Sequence, residues 1–328
     1  MPKREILEKQ LQHCITETNF DFLGHKFCGK IRDNYTQEFQ GKKRRFLITT
    51  DKLSAFDRII TTIPFKGQVL NETAKFWFEN TKDIVKSHAE AFPDPNITVG
   101  EECEVFPVEF VVRGYITGST STSAWVNYGK GIRNFCGHQL PDGMRKNEKF
   151  QTPIVTPSTK AEKGGHDESV SRAELLDRGV ISAQDFDTIS EIALKLFTRG
   201  TEIAARQGLI LADTKYEFGK NSQNEIILVD EIHTPDSSRY WFASEYEKRL
   251  QEGLEQKTFD KEFLRLWLKT NHNYAGEGEV PFIPESLRLD VAEIYITAYE
   301  MITGLEFQAK NENPINRMEQ NLRKFLGE

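Results

Sequence analysis

The sequence is short of cysteine, of long apolar runs and of positive charge. Its 328 residues hold four cysteines, Cys14, Cys28, Cys103 and Cys136. They form no CxxC pair and no metal-ligand spacing. Disulfides are therefore not expected, and a reducing cytoplasm is the expected setting. The opening Met1-Pro2-Lys3-Arg4-Glu5 lacks the apolar stretch of a signal peptide. No apolar run approaches the roughly 20 residues needed to span a bilayer, so no membrane partner is expected. The formal net charge is −7, the wrong sign for a nucleic-acid surface. Small anionic substrates stay possible, because a pocket can be locally basic. No internal repeat is visible. What is present is 38% hydrophobic residues, ample for a large core, in a length that typical domain sizes divide into about two lobes.

Residues up to about 20 read as a short polar-amphipathic helix. A strand pair is expected next, with arms at 26–35 and 45–50 and a polar turn at 37–43. Residues 74–80 are aromatic and helical in pattern. The apolar run 105–113 reads as a strand and follows a polar, Pro-containing stretch. The lobe boundary therefore falls just before it, giving 1–104 and 105–328. Pro107 in that run predicts an edge position or a strand start. Residues 128–169 carry many Gly, Pro, Lys and Asn with little periodicity, which reads as a functional lid or as a disordered insertion. Ser171 and Glu174 have capping-box spacing. Ile189, Ile192, Ala193, Leu196, Phe197, Ile203 and Ala204 recur at helical spacing, with Gly208 as the stop. Two further helices are expected. One starts after Asp260 and buries Phe263, Leu264, Trp267 and Leu268; the other runs from near Pro284 to before Gly304.

The most informative segment is LILADTKYEFG (209–219). Alternation along a strand puts Leu209, Leu211, Asp213, Lys215 and Glu217 on one face. That face changes from apolar to acid–base–acid. A polar turn and EIILVDEI (225–232) follow, and an antiparallel return would bring Asp230 or Glu231 near those charges. Mg²⁺ takes oxygen ligands, usually one or two carboxylates plus substrate phosphates, and a neighbouring Lys can neutralise charge on a transferred phosphoryl group. A solvent-facing strand of alternating charge has the same spacing. Apolar residues on both faces argue instead for a central hairpin, where charges must be paired or metal-bound. HTPDSSRYW (233–241) then supplies a turn presenting Asp236, Ser237 and Arg239, and Arg suits bidentate recognition of carboxylate or phosphate.

Weaker signals accompany it. GKIRDNY (29–35) has one glycine and cations Lys30 and Arg32 at alternate positions, but matches neither the P-loop nor the dinucleotide fingerprint; an exposed basic strand reads the same way. TDKLSAFD (50–57) places Asp51, Ser54 and Asp57 where they cap a turn or meet substrate. VRGYITGSTSTSAW (112–125) ends an apolar strand in Arg113, then offers Gly114, Gly118 and a run of hydroxyls suited to an anion or to a flexible loop. TPSTKAEKGGHDE (156–168) clusters Lys160, Lys163, His166, Asp167 and Glu168; no partner at zinc spacing accompanies His166.

Taken in order, these blocks, with PVEFVVRGYITGS (107–119) and ILVDEIHTPDSSRYW (227–241), resemble the SAICAR synthetase family. The likeness runs from residue 29 to 241. It implies an α+β, two-lobed fold: an N-terminal antiparallel-sheet lobe similar to that of kinases, a larger α+β lobe, and ATP in the cleft. It implies an ATP-dependent ligase that joins 4-carboxy-5-aminoimidazole ribonucleotide to L-aspartate, with ATP and Mg²⁺ required and only small-molecule partners. Under this resemblance Gly29, Lys30 and Arg32 approach the ATP phosphates, and Glu104 and Phe106 lie by the adenine. Glu217 and Asp230 take the magnesium positions. Lys215 is catalytic at the reacting phosphate and carboxylate, with Asp213 beside it. Arg113, Ser119, Asp236 and Arg239 hold the ribonucleotide, and Lys160, His166, Asp167 and Glu168 lie in a lid near the substrates. The hydroxyls from Ser119 to Ser123 leave open which one meets phosphate. A small-molecule kinase on a similar scaffold would share the ATP apparatus without aspartate dependence, and a nucleotide-binding regulatory module would not need Asp213, Lys215, Glu217 and Asp230 together.

Overall fold

The computed structural model describes residues 2–56, 58–159, 168–258, 262–310 and 312–328. Asp57, Lys160, Lys163, His166 and Asp167 lie outside the described residues. In chain order the elements are α1 (Arg4–Gln10), β1 (His25–Cys28), β2 (Arg32–Phe39), β3 (Lys42–Thr49), β4 (Lys52–Ala55), β5 (Arg58–Thr62), α2 (Lys66–Thr81), β6 (Ala89–Asp94) and β7 (Ile97–Glu101). Then come β8 (Glu104–Tyr115), α3 (Ala124–Gly129), β9 (Asn134–Phe135), β10 (His138–Gln139), β11 (Lys149–Thr159), β12 (Glu168–Ser169), α4 (Arg172–Asp177) and α5 (Ala183–Arg206). The chain ends with β13 (Leu209–Lys220), β14 (Ile226–Val229), β15 (Ser238–Phe242), α6 (Ala243–Gln251), α7 (Glu262–His272), α8 (Glu285–Thr303) and α9 (Pro314–Leu326).

An antiparallel five-stranded sheet has the order β1-β2-β3-β7-β6. Its first hairpin differs from the expected one. Residues 26–35 are not a single arm, because the chain turns at 29–31 between β1 and β2. The β2–β3 turn is only Gln40-Gly41, both at positive φ, as a two-residue hairpin of right-handed twist demands. One face of this sheet buries Tyr35, Phe46, Ile48, Ile97 and Val99 against Met318 and Leu322 of α9. That helix is capped by the Asn313 side chain, with Pro314 in its first turn. A second core joins α2 to α7 and α8 through Val69, Leu70, Leu264, Leu268, Leu287, Val291 and Tyr295. Phe263, expected to be buried with Leu264, is 45% exposed.

The larger sheet has the order β12-β11-β8-β13-β14, with β15 also paired to β13. The amphipathic α5 covers one face, burying Ile189, Ala193, Leu196 and Phe197 against Phe110, Val112, Tyr216 and Phe218. Ser182 caps its start, and Gly208 follows at φ +72. The capping box of Ser171 and Glu174 opens α4.

Three further sequence expectations need correction. Residues 149–159 are not weakly structured: they form β11, which lies between β8 and β12 and buries Thr156. Their Thr, Val and Ile content favours a strand more than Lys149, Pro153 and Pro157 within it disfavour one, and the β8 register shift between Lys149 and Ile154 spans Pro153. Pro107 sits inside a central strand rather than at an edge or a start. It is tolerated because the β8–β13 register jumps from Glu109↔Glu217 to Val105↔Gly219, so the ladder skips the missing N–H. Finally, Leu209 and Leu211 do not share the face of Asp213. The β13–β15 register places Leu211 and Asp213 opposite the adjacent residues Tyr240 and Arg239. Ala212 is thus the extra residue of a bulge, which reverses the phase. Leu209 and Leu211 join Tyr216 and Phe218 in the α5 core, while Ala212 packs with Tyr115 and Trp241 on the other face.

Candidate active site

After the bulge, Asp213, Lys215 and Glu217 project from one face of β13, the strand flanked by β8 on one side and by β14 and β15 on the other. Two charged clusters form there. In the first, Asp213 stands opposite both Arg113 and Arg239. Arg239 Nη1 donates to Asp213 Oδ2 at 2.6 Å, and Arg113 Nη1 lies 3.6 Å from the same oxygen. Arg113 is buried and further fixed by Nε donating to Thr156 Oγ1 at 2.8 Å and Nη2 to the Thr122 carbonyl at 3.1 Å. Burial lowers its pKa, Asp213 opposes that shift, and Arg239 adds to it.

The second cluster joins the two sheets. Lys215 Nζ donates to Glu109 Oε1 at 2.9 Å and to Glu217 Oε1 at 2.8 Å, and lies 3.9 Å from Asp230 Oδ2. Arg32 reaches across from β2, donating to Asp230 at 2.6 Å and to Glu231 at 2.9 Å. Burial acts to lower the Lys215 pKa, but Glu217, Glu109 and Asp230 raise it well above its ordinary value. Burial likewise opposes the Arg32 charge, and Asp230 and Glu231 more than offset it. Both cations stay charged at neutral pH. Asp230 adopts φ +65, a conformation a non-glycine residue rarely holds unless its surroundings fix it.

Within this cluster four carboxylates (Glu109, Glu217, Asp230, Glu231) face two cations (Lys215, Arg32), a balance of two negative charges. Among the described residues no group of three or more carboxylate, His or Cys side chains is arranged to hold a metal alone. Such a set fits a hard divalent cation that brings its own phosphate ligands.

The remaining expected residues fall around these clusters. Gly29 and Lys30 occupy the β1–β2 turn, where the Gly29 amide donates to the Arg32 carbonyl at 2.7 Å. Glu104 opens β8 opposite Lys220 and lines a cleft of about 620 Å³ with Lys42, Arg44, Cys103 and Lys220. Phe106 lies under the Lys220 ammonium, 5.8 Å from the ring centre. Ser119 is exposed and shares a 350 Å³ cleft with Arg239, Trp241, Lys146 and Phe263. Gly118, at φ +105, lets the chain pass so close to Ser123 that a Cβ would lie 2.4 Å from that side chain. Asp236 accepts from Lys66 and Tyr295. Glu168 is exposed and ion-paired to Arg178 at 3.0 Å. Asp51 caps α2, accepting from the Gly67 amide at 2.9 Å.

Sequence reading assigns nothing to Glu109 or Lys66. For Glu109 a signal existed: it is a lone carboxylate in an apolar strand, on the face of Arg113. Beneath the site, His233 is fully buried, with Nε2 at 2.6 Å from Tyr216 Oη. Burial lowers its pKa to about 3, so it is neutral.

Charges locked together between two antiparallel sheets are the equipment of an enzyme that handles charged small molecules. The model of one protein family, described as SAICAR synthetase, matches residues 25–280. Phosphoribosylaminoimidazole-succinocarboxamide synthase of Legionella pneumophila (strain Paris) is 48% identical over 316 residues, covering 96% of this chain and 99% of the relative. The chloroplastic enzyme of that name from Arabidopsis thaliana is 49% identical, over 92% of this chain and 74% of the relative. A solved SAICAR synthase from Saccharomyces cerevisiae, complexed with SAICAR, superposes with a TM-score of 0.77 at 32% identity, over 90% of this chain and all of that one. The chain belongs to the SAICAR synthetase family. Among the described residues no helix is long and apolar enough to cross a membrane.

Proposed function

We propose that this chain makes the succinocarboxamide ribonucleotide for which its relatives are named, by ATP-driven joining of 4-carboxy-5-aminoimidazole ribonucleotide to L-aspartate, giving SAICAR, ADP and phosphate in purine biosynthesis. The observation that carries the reading is the 48% identity to the Legionella enzyme over 96% of this chain, beside a site in which Arg113 and Arg239 meet Asp213 and Glu109 meets Lys215 across the strands flanking β13. A carboxylate is a poor acyl donor because oxide would have to leave. In the proposed route a carboxylate oxygen of the ribonucleotide attacks the γ-phosphorus and ADP departs. The aspartate amine then attacks the acyl carbon, phosphate departs, and the amine loses its proton.

The residues divide this work. Lys215, held as an ammonium by Glu109 and Glu217, faces the negative charge of the transferring phosphoryl group. Glu217 and Asp230 would hold Mg²⁺, which when bound shields the phosphate charge. Arg32 fixes Asp230 and, with Gly29 and Lys30, borders the path of the ATP phosphates. Glu104 and Phe106 lie where adenine would sit. Arg113 and Arg239, spaced by Asp213, take the ribonucleotide phosphate, with Ser119 at the mouth of the same cleft. Lys160, His166, Asp167 and Glu168 are assigned near the substrates from their sequence block. Residues 1–104 act as the ATP-binding lobe and 105–328 as the catalytic lobe, and the cytoplasm is the assigned compartment. The test is ADP release: it should need both L-aspartate and the ribonucleotide. Release that needs neither would overturn the reading, and release with the ribonucleotide alone at full rate would make the chain a kinase.

A further inference from the structure

We propose that Lys66 and Tyr295 form a positioning clamp on Asp236, and that this clamp sets the turn carrying Asp230 and Glu231 at one end and Arg239 at the other. The proposal rests on the site reading above. Lys66 Nζ donates to Asp236 Oδ2 at 2.8 Å, and Tyr295 Oη donates to Asp236 Oδ1 at 2.5 Å. The Lys66 ammonium also lies 5.3 Å from the Tyr295 ring centre. Both carboxylate oxygens of Asp236 are thus engaged by groups from α2 and α8, two helices outside the sheet. In this arrangement Asp236 is a positioning residue that acts through the turn it belongs to.

The start of α2 is poorly built for helix stability and well built for this contact. Lys66 is its first residue, where the helix dipole disfavours a cation. The side chain is wholly buried, and an ammonium taken out of water is unfavourable unless paired. Phe65, at the N-cap, is left-handed at φ 60 and caps nothing with its side chain; Asp51 caps from outside instead. These local costs are explained if the helix start is shaped to deliver Lys66 to Asp236.

From Asp236 the constraint runs both ways. Thr234 Oγ1 donates to Glu231 Oε2 at 2.8 Å, on the carboxylate that also holds Arg32. The Ser237 and Ser238 amides donate to the Thr234 carbonyl, closing the turn. Ser238 Oγ donates to Thr214 Oγ1 at 2.7 Å, and the next residue, Arg239, meets Asp213. One anchored carboxylate therefore fixes the nucleotide-side acids and the ribonucleotide-side arginine together. A contact serving only one substrate would not.

The test uses steady-state kinetics of the full chain with Tyr295→Phe, Lys66→Met, Asp236→Asn and the Lys66→Met/Asp236→Asn double variant. Tyr295→Phe keeps the ring and removes one charged hydrogen bond, which suffices for about tenfold. The clamp predicts that it raises both the ribonucleotide KM and the half-saturating Mg²⁺ concentration about tenfold, with a fall in melting temperature of no more than about 2–3 °C. It also predicts that the double variant is no worse than the worse single one, since both break the same contact. Both constants unchanged within about twofold in Tyr295→Phe would overturn the clamp. So would multiplying effects of Lys66→Met and Asp236→Asn, which would mean that Asp236 meets substrate independently. Should Lys66→Met prove insoluble, Tyr295→Phe decides alone. Wild-type turnover lacking ribonucleotide dependence would instead defeat the reaction assignment and leave the clamp a structural contact, so the two failures are distinct.

Discussion

Asp213 is the shared counter-ion of two arginines, so Asp213→Asn tests the electrostatic design of the ribonucleotide cluster. At the observed 2.6 and 3.6 Å, unit charges attract by about 6 and about 5 kcal/mol respectively at an effective dielectric of about 20. Desolvation offsets much of this, and the amide oxygen keeps one hydrogen bond. Breaking a buried pair by removing one partner typically costs about 3–5 kcal/mol. The Arg239 side chain, 21% exposed, can turn towards solvent, whereas buried Arg113 cannot. The lower end is therefore expected, about 3 kcal/mol, or a fall in melting temperature of about 4 °C for a chain of 328 residues. A bound phosphate would replace the missing negative charge. Thermal melts with and without the ribonucleotide should thus show a larger ligand-induced rise in Asp213→Asn than in wild type. A melting temperature within about 1 °C of wild type, with an ordinary ligand shift, would refute the idea that Asp213 compensates a buried pair.

Further outcomes follow from the same geometry. Glu217→Gln keeps shape but removes one of the two assigned magnesium carboxylates; turnover at limiting Mg²⁺ should fall about 10²–10³-fold with normal circular dichroism, and near-normal turnover would refute the assignment. Arg239→Lys cannot reproduce the guanidinium fork, so the ribonucleotide KM should rise while the ATP KM holds; a selective ATP defect would reverse the roles. Burial lowers the pKa of His88 to about 4 and of His233 to about 3. Both lie below the unfolded value near 6.5, so the unfolded chain binds more protons, and stability falls as pH drops from about 6.5 towards 4. Asp51, raised by burial to about 6, works oppositely, its contribution being present below about 4 and lost as pH rises through 6. Two histidines outweigh one carboxyl, so urea midpoints should fall between pH 7 and pH 5, and His88→Gln should lessen the fall; equal midpoints would contradict this.

Much of the site was legible because it lies on strands whose period is fixed. Once Lys215 and Glu217 are on one face, their contact and the approach of Asp230 follow from a hairpin. The helices at 183–206 and 285–303 were legible from apolar spacing and from their stops. The phase reversal at Ala212 was not, since a bulge depends on the partner strand's register rather than on local residues. Residues 149–159 misled because Lys149, Pro153 and Pro157 lie inside the strand and dilute its pattern, and its partner β8 lies 34 or more residues earlier in sequence. Lys66 gave no local signal: its partner Asp236 is 170 residues away.

The account's central claim is that ATP energy passes through the ribonucleotide carboxylate to an amide with aspartate. One reaction tests it directly, using ribonucleotide labelled with ¹⁸O in the carboxylate and aspartate labelled with ¹⁵N. Mass spectrometry should find one ¹⁸O in the released phosphate and ¹⁵N in the succinocarboxamide product, in equal amounts. Unlabelled phosphate, with ADP formed but no ¹⁵N product, would show that water rather than the carboxylate receives the phosphoryl group, and the account would fail.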